Sequence, residues 1–203
     1  MKNSDIKYKI GIDEAGRGPV AGPVSVGVVC ISEEFAPSAL EIFGTVKDSK
    51  KLTEKKREEW YAKMLEEKKN GNIDFVVAFA THNDIDTIGI VPSIRRALTG
   101  AINKLCKDIN CADVKVLLDG GLHAPKEYIN QETIIKGDEK EMIISMASVA
   151  AKVVRDREMV KLAEKYPEYG LEKHKGYGTK AHYEKIRENG ISPIHRVSFL
   201  TRL

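Results

Sequence analysis

The feature that most restricts the fold is a Gly- and Pro-rich connection between two short apolar runs near the start of the chain. Tyr8-Lys9-Ile10-Gly11-Ile12-Asp13 alternates towards an acidic end, and Val24 to Ile31 is β-branched and largely apolar. Both runs read as strands. Between them stands Ala15-Gly16-Arg17-Gly18-Pro19-Val20-Ala21-Gly22-Pro23, which continues neither. Gly16-x-Gly18-x-x-Ala21 matches the spacing of a dinucleotide-binding turn, but that turn works only where a helix opens on it and holds the pyrophosphate. Here Gly22-Pro23 leads straight into a β-branched run, so the dinucleotide reading fails, and no Gly-Lys-Ser/Thr exists to make a P-loop. The segment is a tight link between antiparallel strands, and its glycines let backbone groups approach a ligand without interference from Cβ.

Further elements follow in order. Thr53 to about Asn70 reads as a helix, with Thr53 as N-cap and Asn70-Gly71 as stop. Phe75–Thr81 reads as a strand, and a helix after Pro92 carries Ile94, Leu98, Ile102 and Leu105 at helical spacing. Val114–Asp119 and Thr133–Asp138 read as two more strands, each ending on an aspartate. A long, buried helix is expected from about 140 to 165, then a loop over 173–178, a helix over 179–188 and a closing turn at 190–194. No repeat, low-complexity tract or linker interrupts this pattern. The expectation is one mixed α/β domain over residues 1–203, with a helical portion from about 165 packed on it.

Composition excludes several classes. No apolar run reaches the roughly 18 residues of a membrane span, and the polar start Met1-Lys2-Asn3-Ser4-Asp5 is no secretory signal. Cys30, Cys106 and Cys111 have no CxxC spacing, which suits a reduced, cytoplasmic protein. The net charge of +3 is too small to argue for nucleic acid by itself. Its distribution says more, because Lys47, Lys50, Lys51, Lys55, Lys56 and Arg57 form one cluster and Lys173, Lys175, Lys180 and Lys185 another. Solvated helix faces and phosphate-binding patches both look like this.

Three of the expected strands finish on acids: Asp13 (with Glu14 after it), Asp119 and Asp138. Ligands of open α/β sheets bind beyond strand ends, so these carboxylates could converge. Converging carboxylates repel one another unless a cation lies between them, and oxygen-only ligands favour Mg²⁺ or Mn²⁺ over zinc. Two such ions could activate a water and stabilise the leaving oxygen of a phosphodiester. Adjacent strand residues point to opposite faces, so Asp13 and Glu14 share a site only if the strand breaks after them, and Gly16-Arg17-Gly18 is expected to supply that break. A strand-end Asp more often caps the following turn, so spacing alone leaves both readings open.

The blocks around these acids resemble a known family. Gly11-Ile12-Asp13-Glu14-Ala15-Gly16-Arg17-Gly18-Pro19-Val20-Ala21-Gly22-Pro23 is similar to the opening signature of the ribonuclease HII family. Asp48-Ser49-Lys50-Lys51-Leu52, Leu118-Asp119-Gly120, Lys136-Gly137-Asp138 and the run Ala147 to Asp156 resemble its later blocks in the same order. His174 to His182 and Pro193 to Phe199 resemble its last two, so the likeness spans about residues 7 to 199.

The resemblance implies an RNase H-like fold, a five-stranded mixed sheet flanked by helices with a helical C-terminal part. It implies that Asp13, Glu14, Asp119 and Asp138 are catalytic and hold two Mn²⁺ or Mg²⁺ ions. Gly16, Arg17 and Gly18 would contact the ribonucleotide 2′-OH, the group that separates RNA from DNA, and Tyr177 would pack on the neighbouring deoxyribose. Lys50, Lys136, Ser148 and Lys152 are candidates for phosphate contacts. The implied enzyme cuts the RNA strand of RNA–DNA hybrids and duplex DNA containing ribonucleotides, as a monomer. Gly89 departs from the Asn often found there in bacterial members, away from the metals. The short tail ending at Leu203 is expected to weaken the grip on a duplex, and Arg17 with the bare N-terminus argues against the related type III branch. A non-catalytic hybrid-binding module would keep the basic clusters and lose acids, whereas all four are present.

Overall fold

The computed structural model describes residues 6–44 and 52–201. Strand β1 (Tyr8–Ala15) pairs antiparallel with β2 (Val24–Ser32), which pairs antiparallel with β3 (Ile73–Ala80). On its other edge β1 runs parallel to β4 (Val114–Asp119), and β4 runs parallel to β5 (Gln131–Ile134). The order β3-β2-β1-β4-β5 is thus a mixed five-stranded sheet, as anticipated. Alternation along β1 sends Ile10 and Ile12 to one face, where they join Ile94, Leu98 and Ile102 of α4 (Ile90–Leu105). The opposite face is covered by α1 (Ala36–Phe43), α2 (Glu54–Lys69) and the long α5 (Met142–Lys165). No helix of the described residues is long and apolar enough to cross a membrane.

Two glycines seat α5 directly on the strands. A Cβ at Gly11 would stand 2.2 Å from the Ile143 carbonyl oxygen, and one at Gly27 would stand 2.2 Å from that of Ala147. Only bare backbone lets the helix come so close, and Gly27 is the residue paired with Asp13.

Several local expectations need correction. β1 does not stop at Asp13; it stays paired with β2 as far as Ala15 opposite Ser25, because the β-branched start of β2 keeps the ladder registered. Asp138 does not end a strand. β5 finishes at Ile134, Lys136 turns left-handed (φ 56°), and Asp138 sits in a 3-10 turn over Gly137–Glu139. α4 starts at Ile90, with Pro92 still inside its first turn, where a missing N–H costs nothing. Helices α1 and α3 (His82–Ile88) were not anticipated. The 173–178 loop also contains the end of a short helix, α6 (Leu171–His174), before α7 (Lys180–Asn189) begins on its Thr179 N-cap. The C-terminal segments pack Tyr169, Leu171, Ile186, Ile194 and Leu200 against Met159 of α5 and against Val20 and Ala21 of the Gly-rich link.

Candidate active site

The parallel pairing of β1 with β4 ends at Ile12 opposite Leu118, while β1 continues along β2 for three more residues. A crevice therefore opens between the C-terminal ends of β1 and β4, flanked by Asp13 and Asp119. By strand parity these two acids share the α5 face, whereas Glu14 points to the α4 face. Glu14 and Asp119 nevertheless lie close enough to repel, and Asp13 feels both.

Burial is the main reason that the Asp13 carboxyl is pushed well above the ordinary carboxylate range; the Ser148 hydroxyl pulls it down, and Glu14 and Asp119 push it further up. Burial likewise raises Glu14, opposed by Arg17, whose Nη1 donates to Glu14 Oε1 at 3.0 Å. The second oxygen, Glu14 Oε2, is buried with no hydrogen-bond partner. The Gly137 amide donates to Asp119 Oδ1 at 2.6 Å, and the Glu14 amide to Asp13 Oδ1 at 2.7 Å. Asp138 lies in the adjoining cleft with Arg57, Ser145, Ser148 and Lys152. Among the described residues, no three His, Cys, Asp or Glu side chains are grouped as tightly as a metal would hold them. Their carboxylate oxygens are turned instead to the Glu14 and Gly137 amides and to Arg17. The donors themselves, all oxygen and partly desolvated, with one oxygen left unpaired, fit a hard divalent cation.

The link after β1 is fixed by buried arginines. Arg155 of α5 donates from Nε to the Pro23 carbonyl (2.9 Å) and from Nη2 to that of Lys175 (3.1 Å). Arg196 donates to the carbonyls of Gly22, Arg17 and Gly16 at 2.9, 3.0 and 2.8 Å. Burial pushes the Arg196 guanidinium down to about 9, with Arg155 adding to it. Gly16 has φ +95°, and a Cβ there would stand 2.0 Å from Arg155 Nε, so both conformation and space demand glycine.

Gly176 accepts from the Val20 and Ala21 amides, which brings the Tyr177 loop against the link. Tyr177 is 44 % exposed, and a Cβ at Gly18 would be 3.7 Å from its ring. A chain of neutral imidazoles supports that loop. The Ser192 amide donates to His195 Nδ1 (3.0 Å), so His195 donates from Nε2 to His182 Nε2 (3.2 Å), and His182 Nδ1 donates to the Tyr177 carbonyl (2.9 Å).

The structure thus places Asp13, Asp119, Asp138, Ser148 and Lys152 on the α5 side, Glu14 on the α4 side against Arg17, and Gly16, Gly18 and Tyr177 beside them. Lys136 is exposed at its left-handed corner and does not line the cleft, and its 3-10 turn carries Asp138. Lys50 lies outside the described residues. Sequence reasoning missed the placements of Arg57, Ser145, Arg155 and Arg196. Nothing in their sequence neighbourhoods sets the two buried arginines apart: Arg155 is followed by Asp156 and Arg157, and Arg196 follows His195.

A family model described as Ribonuclease HII matches residues 10–202. The chain belongs to the ribonuclease HII family. A relative named Ribonuclease HII from Fusobacterium nucleatum is 44% identical, over 98% of this chain and 89% of its own length. The crystal structure of the ribonuclease H2 from Pyrococcus horikoshii superposes with a TM-score of 0.66 at 29% identity, covering 94% of this chain and 93% of that one. Bst-RNase HIII, solved in complex with Mn²⁺, shares the fold alone: TM-score 0.71 and 18% identity, over 97% of this chain and 68% of that one. As a member of this family, the chain has the RNase H-like fold and is a ribonuclease H enzyme, an endonuclease of RNA–DNA hybrids.

Proposed function

We propose that this enzyme cuts the RNA strand of hybrids and also incises duplex DNA 5′ to embedded ribonucleotides, leaving 3′-hydroxyl and 5′-phosphate ends. The observation that carries this is the set of carboxylates at the crevice between β1 and β4, Asp13 buried and Glu14 and Asp119 half-buried, which repel one another and leave Glu14 Oε2 unpaired. Asp13, Glu14, Asp119 and Asp138 would hold two Mg²⁺ or Mn²⁺ ions. Such ions, when bound, supply an activated water and charge stabilisation at the leaving oxygen.

The chain's own side chains do the rest. Ser148 orients the Asp13 carboxylate, the Gly137 amide fixes Asp119, and Arg17 holds one Glu14 oxygen so that the other faces inward. Lys152, Lys136 and Lys50 meet substrate phosphates. The Gly16–Gly18 backbone reads the ribose 2′-OH, and Tyr177 packs on the adjacent deoxyribose, so the pair recognises an RNA–DNA junction. No serine, cysteine or histidine acts as nucleophile. In the cell the same specificity assigns the protein to ribonucleotide excision repair and DNA replication, as a cytoplasmic monomer whose partners are nucleic acids.

The test is Asp119→Asn on a duplex with one ribonucleotide and on a continuous hybrid, each with Mg²⁺ and with Mn²⁺. Cleavage should vanish on both while the fold persists, since the change relieves repulsion. A near wild-type rate on either would overturn the assignment.

A further inference from the structure

Arg196 is fully buried and has no ion pair among the described residues. Asp86, close enough to act on its charge, is occupied with the Val197 and Ser198 amides. A buried cation ordinarily takes a carboxylate. This one is spread instead over three backbone carbonyls, two of them consecutive: Gly16 and Arg17.

That choice fixes the direction of two peptide groups. A trans peptide holds its C=O and N–H on opposite sides of the chain, and the described chain has no cis bond. With the Gly16 and Arg17 carbonyls drawn inward, the Arg17 and Gly18 amides are turned outward. Both residues are exposed, and neither amide has a protein partner among the described residues. Gly18 stands next to the Tyr177 ring, and Arg17 borders the cavity that Glu14 shares with Gly120 at the end of β4. The guanidinium also polarises both peptide groups, which strengthens the outward donors.

We propose that Arg196 is a positioning residue for substrate choice: by seizing the Gly16 and Arg17 carbonyls it displays the Arg17 and Gly18 amides as a paired donor for the 2′ oxygen of a ribonucleotide. This rests on the reading above of the turn as the ribose reader. It adds that the recognising atoms are two amides and that a residue far along the chain aims them. The hydroxyl oxygen, with two lone pairs, can accept both.

Two measurements test it, each in EDTA so that nothing is cut. In the wild-type protein, the Arg17 and Gly18 amide resonances should move on adding a DNA duplex with one embedded ribonucleotide, and move far less with the all-DNA duplex. Equal movement with both duplexes would mean that the amides meet phosphate, and would overturn the proposal. In the second, Arg196→Lys keeps a buried charge but cannot span the carbonyls. Its preference for the ribonucleotide duplex over the all-DNA duplex, as a ratio of affinities, should fall about tenfold, the worth of roughly one hydrogen bond. A purely structural role would lower the melting temperature and leave that ratio unchanged, which would also overturn it. If the variant does not fold, the wild-type amide shifts decide. Loss of hydrolysis in Asp119→Asn tests the metal site independently, so failure here and failure there are told apart.

Discussion

Gly27→Ala is the sharpest test of how the fold presents its acids. Gly27 pairs with Asp13, and its added Cβ would stand 2.2 Å from the Ala147 carbonyl oxygen, where ordinary contact begins at 3.4 Å. The backbone at Gly27 is not left-handed, so the whole effect is steric. The obstacle is helix backbone, which cannot swing aside as a side chain would, so α5 must retreat by about 1.2 Å, the difference of those two distances. Overpacking costs about 1–3 kcal/mol, and a rigid neighbour puts this change near about 3 kcal/mol. At roughly 2–4 °C per kcal/mol for a chain this size, the melting temperature should fall by about 6–12 °C. Ser148 moves with Ala147 and withdraws from Asp13, and a displacement of about 1 Å at such a site can lower turnover about 100-fold. Calorimetry gives the first quantity, and single-turnover cleavage of a one-ribonucleotide duplex well below the transition gives the second. A melting temperature within about 2 °C of wild type, with an unchanged rate, would refute the claim that bare backbone at Gly27 seats α5.

Gly100→Ala is the matched contrast: it lies exposed inside α4 with nothing within 4 Å of its Cβ position, so it should stabilise by about 0.5–1 kcal/mol in a denaturant titration. Tyr177→Ala should slow cleavage of a single embedded ribonucleotide much more than cleavage of a continuous hybrid; equal losses on both would remove it as a junction reader. His182, pushed down to about 4 mainly by burial, should remain neutral well below its ordinary 6.5. Its folded value lies below the unfolded one, so its contribution to stability is complete above about pH 6.5 and is lost as pH falls towards 4. Imidazole NMR would show His182 uncharged at pH 5.5, and titration near 6.5 would contradict the neutral chain through His195 to the Tyr177 carbonyl.

Much of this was legible where one residue pattern admits one answer. The β-branched run from Val24 gave β2, the Thr53 cap gave α2, and Val114–Asp119 matched β4 residue for residue. The Asp138 position was misread because Thr133-Ile134-Ile135 looks like a continuing strand, whereas the left-handed turn at Lys136 is specified by packing: Gly137 must tuck against Ile144 and under Asp119. The helices α1 and α3 were invisible because each is short and buries only one or two side chains, Ala39 and Phe43 in the first and Ile85 in the second. Arg155 and Arg196 stood in quoted blocks, yet each reaches a backbone carbonyl more than 130 residues away, Pro23 for Arg155 and Gly22 for Arg196. Carbonyls carry no sequence signature.

The Asp13-Glu14 pair is arranged differently from what its sequence context suggested. A break in β1 was expected to bring both acids to one side. Instead the strand continues, and the acids keep opposite faces. What ends is the pairing with β4, at Ile12 opposite Leu118. From that point β1 has a neighbour on one edge only, so the sheet is split, and a group lodged in the split is accessible from both faces. Asp119, the last residue of β4, borders that split, which is why it repels an acid on either side of the sheet. Parallel pairing on one edge and antiparallel pairing on the other let one strand outrun a single neighbour while still held by the second. A uniformly parallel sheet would free β1 from both neighbours together and leave Asp13 and Glu14 on an unsupported loop. If Asp13 and Glu14 serve the proposed site, the mixed sheet is part of it, because it holds two adjacent acids on a paired strand where the β1–β4 pairing ends.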